Sequence, residues 1–163
     1  MTINIHHLKT IKMKNLIFLT MLFLTLGCSK NNDEKAVSSF EPVTITPVLI
    51  GKGASRNHNT LLQSVLIANQ TQWSALLNNM NANGNTSNYF TTTNIDFTNF
   101  DVVAVFRNDI SNGSSSVDIT NIVENLNSRI VTVQNLQNGL TQDIATPFHV
   151  VQIPKSPKLV LFQ

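Results

Sequence analysis

The chain has 163 residues, of which 12% are charged, and its formal net charge at pH 7 is +2. From residue 28 onward, five Lys and three Arg stand against nine Asp and Glu, so this part of the chain carries a net charge of −1. That balance argues against a basic surface for nucleic acid, and a single cysteine excludes an internal disulfide.

Residues 1–27 have the pattern of a secretory signal peptide. A lysine-containing stretch precedes the apolar run 16–26, which is too short for a bilayer-spanning helix of about 20 residues. A complete signal also begins at Met13, so translation from Met1 and translation from Met13 both remain open.

The signal ends in Leu24-Thr25-Leu26-Gly27-Cys28, which resembles a lipobox. This resemblance implies that Cys28 is the lipidation site, with acyl chains attached through its thiol and cleavage before it. The alternative is an ordinary cysteine within a cleaved signal peptide. Two or more acyl chains anchor a protein stably, because each buried CH₂ contributes about 0.8 kcal/mol.

Residues 28–42 are mostly polar and predict a flexible tether between the lipid and the domain. Ser29 after the cysteine resembles signals that permit sorting to the outer membrane. Asp33 and Glu34 resemble the surface-export signals of Bacteroidetes lipoproteins. The predicted location is therefore the bacterial cell envelope, with the outer membrane favoured and the periplasmic and surface faces both open.

Residues 43–163 predict one domain. A strand over 43–50 is interrupted by Pro47, which favours a sheet edge, and residues 51–55 predict a loop. A short apolar strand follows at 64–68. The apolar positions Trp73, Leu76, Leu77 and Met80 then have helical spacing and predict an amphipathic helix over 72–80, with Asn69 or Thr71 as its N-cap.

The second half of the domain predicts strands only. Residues 101–107 contain four consecutive aliphatic side chains followed by a Phe, which favours a central strand covered on both faces. After a turn at 112–114, residues 116–123 and 129–133 predict a hairpin with a four-residue loop, and the apolar positions change parity between Ile119 and Ile122, which indicates a bulge. Two final strands are predicted at 148–153 and 158–162.

About seven strands and one helix, without a strand-helix-strand rhythm, predict an α+β fold. Its mostly antiparallel β-sheet carries the amphipathic helix on one face. Trp73 is expected to be a core residue rather than a platform for a ligand.

The sequence contains no recognisable catalytic or metal-binding constellation. His58 and His149 are the histidines of the domain, and no third ligand stands at a spacing typical of metal sites. Gly51-Lys52 lacks the upstream glycine of a phosphate-binding loop, and the serines at 114–116 do not stand in a nucleophile motif. We therefore expect no cofactor, no metal and no catalytic residue.

Several segments together resemble the C-terminal domain of the PrcB family, which is named for a lipoprotein subunit of a bacterial surface protease complex. The segments lie within about 62–162 and are Trp73 on the helix, IDFTNFDVVAVF at 95–106, NGSSSVDITNIV at 112–123 and TPFHVVQIPKSPKLVLF at 146–162. The chain departs from the family at Gly113-Ser114-Ser115-Ser116, where members often carry Gly-Gly-Tyr. The resemblance implies a non-catalytic module that binds or stabilises another envelope protein, with a protease as the candidate partner.

Two other classes of function stay open. A small-ligand or glycan-binding lipoprotein would need Trp73 or Tyr89 exposed in a groove. A hydrolase would need clustered acids or a Ser/His pair, and the available pairings involve His149.

Overall fold

The computed structural model describes residues 39–55, 64–107, 114–140 and 144–163. These residues form one α-helix, α1 (Gln70–Asn81), one short 3-10 helix (Thr86–Tyr89) and eight strands. The strands are β1 (Val43–Thr44), β2 (Val48–Ser55), β3 (Val65–Ile67), β4 (Phe100–Phe106), β5 (Asp118–Glu124), β6 (Ser128–Gln134), β7 (Thr146–Pro154) and β8 (Leu159–Phe162).

The strands are arranged in two four-stranded sheets. Sheet one has the order β1-β5-β6-β8 and sheet two has the order β2-β7-β4-β3. Every neighbouring pair is antiparallel except β6 and β8, which are parallel. The predicted α+β class, with mostly antiparallel strands and one helix packed on a sheet, is confirmed. The strands divide between two sheets, however, instead of forming the single sheet expected.

Sheet two is the middle layer of three. On strand β4, Val103 and Val105 belong to a core shared with sheet one, whereas Val102 and Ala104 belong to a core shared with α1. All four side chains are fully buried. The expectation of a central strand covered on both faces is confirmed, because successive side chains of a strand point to opposite faces.

Helix α1 packs through one face on sheet two. Its buried residues are Trp73, Leu76 and Met80, as their spacing predicts. The side chain of Asn69 accepts a hydrogen bond from the backbone N–H of Gln72 at 3.0 Å, so Asn69 is the N-cap. Trp73 is fully buried and donates from Nε1 to the carbonyl of Thr93 at 2.8 Å. It is a core residue, as expected.

Two expectations for the first strands are wrong. The segment 43–50 is not one strand, because the chain leaves sheet one after β1 and enters sheet two at β2, with Pro47 between them. Residues 51–55 are not a loop, because β2 continues through both glycines to Ser55. A bulge between Leu49 and Gly51 precedes this glycine-containing half of the strand.

The hairpin in sheet one agrees with its prediction. The register shifts between Ile119 and Asn121, which places a bulge where the apolar pattern changes parity. The last pair, Glu124 with Arg129, encloses four residues, and Asn125 closes the turn by donating its N–H to the carbonyl of Ser128 at 2.7 Å. Most of the turn predicted at 112–114 lies outside the described residues; Ser114 has a positive φ of 70°.

Candidate functional site

The predicted site residues fall into two groups. Cys28 and His58 lie outside the described residues, as does the signal peptide. His149 lies on β7 of sheet two, and its side chain is half-buried. Trp73 is fully buried, so it has no face for a ligand.

His149 belongs to a polar cluster that joins the two sheets, formed by Lys52, Ser116, Asp118 and His149. Lys52 on β2 forms a hydrogen-bonded ion pair with Asp118 on β5. His149, which pairs in register with Lys52, accepts a hydrogen bond at Nδ1 from the backbone N–H of Ile119 at 3.0 Å. The cluster therefore connects β2 and β7 of sheet two to the bulged strand of sheet one.

Asp118 is the centre of this polar cluster. Its carboxylate also accepts hydrogen bonds from the Ser116 hydroxyl and from the backbone N–H of Leu136. Burial raises the pKa of Asp118, but the hydrogen bonds from Lys52, Ser116 and Leu136 outweigh it, so the pKa lies below the ordinary value. Asp118 therefore stays ionised and paired at neutral pH, which is a structural role.

His149 is held in its neutral form by the same surroundings. Burial lowers its pKa, the charge of Lys52 lowers it further, and the carboxylate of Asp118 opposes both. Protonation at Nδ1 would also break the hydrogen bond with Ile119, since a protonated nitrogen no longer accepts. The imidazole is thus a neutral acceptor between the sheets.

The hydroxyl of Ser116 is hydrogen-bonded within and beside the polar cluster. The Ser116 hydroxyl donates to Asp118 and accepts the N–H of Gln137 at 2.9 Å. These contacts differ from the hydrogen bond to a histidine base that a serine nucleophile needs.

A second group of charged side chains lies between the two sheets. Arg129 joins the sheets at another point, since it donates to Glu124 within sheet one and to the carbonyl of Pro154 on β7. Lys158 completes this group with a 2.9 Å contact to Glu124. The hydrogen bond from Lys158, and then that from Arg129, lower the pKa of Glu124.

Two further aspartates, at the turn before β4 and near the start of β4, also have structural contacts. Asp96 accepts from the backbone N–H of Thr98 at 2.9 Å, as expected of an Asp that caps a turn. Asp101 is buried and pairs with Lys155 at 3.2 Å. Among the described residues, no three His, Cys, Asp or Glu side chains are grouped closely enough to hold a metal ion.

A surface that sequence reasoning missed lies on sheet one. Val123, Ile130 and Leu161 are paired in register across β5, β6 and β8, so they share the face turned away from sheet two. Leu159 lies on the same face, and its exposed fraction is 65%, against 45% for Leu161. We call these four residues the outer row.

Within the described part of the chain no α-helix packs on this face, because α1 packs on sheet two. Val123 and Ile130 are half-buried there, and the two leucines are exposed. The outer row ends at β8, an edge strand whose second side pairs with no strand among the described residues. The signal for it in the sequence is weak: all four residues of β8 are apolar, although the strand has one exposed and one half-buried face.

Within the residues described, no helix is long and apolar enough to cross a bilayer. No protein-family model, curated protein or solved structure matches this chain, so its resemblance to the PrcB family stays a prediction.

Proposed function

We propose that this protein is a lipid-anchored, non-catalytic component of the bacterial envelope that binds another envelope protein and acts as an assembly module. The resemblance to the PrcB family makes a surface protease the candidate partner. The outer row of sheet one is the observation that carries this proposal, because a row of apolar side chains left open on a sheet face is typical of an interaction surface.

Three features support binding of a protein at this face. The outer row continues to the open edge of β8, where a partner segment could add its own backbone hydrogen bonds. Polar Ser128 and Thr132 flank the row, in the manner of a polar rim around an apolar interface core. The charged side chains Asp118, Glu124 and Arg129 of sheet one are engaged in ion pairs, whereas Leu159 and Leu161 of the outer row are exposed.

The lipid anchor supplies the second part of the proposal. Replacing Cys28 with Ser should abolish incorporation of labelled palmitate and shift the protein out of the membrane fraction. Retention of the label in C28S would contradict acylation at this residue.

The binding surface is tested by site-specific photo-crosslinking with the full-length protein in native envelopes. A photoreactive amino acid in place of Leu161 should give a discrete crosslinked species that mass spectrometry identifies as an envelope protein. The same amino acid in place of Leu140, which is exposed but follows β6 outside the sheet, is the matched control.

A crosslink that forms equally well from both positions would contradict binding at the outer row. So would the absence of any crosslinked protein from position 161 while the protein remains correctly acylated and folded.

A further inference from the structure

A second surface lies between the end of β2 and the segment that follows α1. A cleft of about 470 Å³ separates the end of β2 from the segment that follows the helix. Its lining includes Asn83, Asn85, Thr86, Asn88 and Tyr89, and none of the lining residues that the structure describes is charged. Its volume falls within the range of about 300–1,000 Å³ that is usual for small-molecule sites.

Tyr89 is the aromatic side chain of this cleft. Its exposed fraction is 77%, whereas the next residue, Phe90, is packed into the core. The ring of Phe90 stacks on Trp73 at 5.9 Å between centroids and meets Phe148 edge-on at 5.8 Å. Phe90 therefore fixes the backbone at the point where the Tyr89 ring leaves it.

The 3-10 helix that carries Tyr89 is also tied to α1. The side chain of Asn81 accepts from the backbone N–H of Ser87 at 2.9 Å and donates to its hydroxyl at 2.8 Å. The Thr86 hydroxyl is buried beside that of Ser55, at 3.3 Å. Tyr89 thus lies at the rim of a cleft whose backbone is held from both sides, and a preformed site loses little conformational entropy when it binds.

The chemistry of the lining selects the class of ligand. Each asparagine amide offers two donors and one acceptor oxygen without a charge, which suits hydroxyl groups better than phosphates or carboxylates. A phenol ring offers a flat apolar face and a polar edge. A sugar ring presents C–H groups on its face and hydroxyls around its edge, so it matches both features at once.

We propose that this cleft is a binding site for a neutral oligosaccharide, with Tyr89 stacked on one sugar ring and the amides of Asn85 and Asn88 bound to its hydroxyls. This site goes beyond the protein-binding role of sheet one. It lies on other residues, so the failure of either proposal leaves the other standing.

The proposal is tested with maltohexaose, cellohexaose, mannohexaose and N-acetylchitohexaose as probes of the full-length protein in detergent. At least one of them should perturb backbone NMR signals within residues 83–90. Isothermal calorimetry should then show a loss of affinity of at least about tenfold in Tyr89→Ala, equivalent to about 1.4 kcal/mol.

Two further variants make the result specific. Tyr89→Phe keeps the ring and should retain affinity within about threefold, because that limit corresponds to less than 1 kcal/mol. Leu140→Ala changes an exposed side chain outside the cleft and should have no effect. The emission of the buried Trp73 reports whether each variant is folded.

Three outcomes would overturn the assignment of the cleft as a sugar site, and a fourth would overturn the neutral class of the ligand. They are the absence of binding by all four probes at millimolar concentration, binding that Tyr89→Ala leaves unchanged, and perturbation of signals outside residues 83–90 alone. Binding of charged polysaccharides such as polygalacturonate in preference to the neutral probes would equally contradict a neutral ligand.

Discussion

Replacing Gly51 with Ala should destabilise the domain although the change adds a single methyl group. An ideal Cβ at this position would lie 2.3 Å from Cδ1 and 2.7 Å from Cε1 of Phe90. Carbon atoms in favourable contact are about 3.5–4.0 Å apart, so the ring must move by more than 1 Å. Phe90 is packed against both Trp73 and Phe148, which leaves its ring little room.

We expect Gly51→Ala to lower the free energy of unfolding by about 1–3 kcal/mol, the usual penalty of overpacking a core. Gly53 provides a control on the same strand. A Cβ at Gly53 would meet Phe148 at 3.5 Å, which is an ordinary contact. Gly53→Ala should therefore change stability by less than about 0.5 kcal/mol or raise it slightly.

Urea unfolding followed by fluorescence measures both variants, because Trp73 is the only tryptophan and is buried in the affected core. Gly51→Ala should also be measured in a protein that carries Phe90→Ala. Phe90→Ala removes the ring that Gly51→Ala would strike, so the glycine substitution should cost almost nothing there, and a double-mutant cycle should give a coupling of about 1–3 kcal/mol. Equal stability of the two single glycine variants would refute the packing described for Phe90.

Two more predictions concern His149 and the helix cap. Because burial and Lys52 hold the pKa of His149 below its ordinary value of 6.5, the unfolded chain binds a proton at higher pH than the folded chain. The free energy of unfolding of the wild type, measured with urea, should fall as the pH drops from about 7 to about 5. The variant His149→Asn cannot titrate in this range, so its free energy of unfolding should fall less. An equal fall in both proteins would count against a neutral His149 in the folded state. Asn69→Ala should cost about 1 kcal/mol in the same assay, and Thr71→Ala far less, because the amide of Asn69 caps α1.

Local patterns in the sequence were sufficient to predict α1 and β4. The spacing of Trp73, Leu76 and Met80 predicts α1, and the apolar run in β4 predicts cover on both faces. The second half of β2 could not be predicted, because glycine is depleted in strands and contributes nothing to an alternating side-chain pattern. Gly51 is required there by the close approach of the Phe90 ring.

Pairing between distant segments could not be predicted in this way. Lys52 and Asp118 stand 66 positions apart, and nothing in either segment identifies the other as its ionic partner. The division into two sheets and the parallel pairing of β8 with β6 are likewise set by contacts between remote parts of the chain. The outer row and the Tyr89 cleft both depend on such contacts, so they emerge only from the fold.

Strand β4 has one further consequence for the behaviour of the domain. Its neighbouring residues Val103 and Ala104 are buried in different cores. Detachment of α1 would therefore expose one face of β4 to solvent, although the other face remains part of the core shared with sheet one. Both cores are therefore stabilised by the same backbone hydrogen bonds, those between β4 and β7. The amide hydrogens of β4 and β7 should exchange with deuterated solvent at similar rates and more slowly than those of the other elements. Their exchange should require global unfolding of the domain, and not local detachment of α1 or of sheet one.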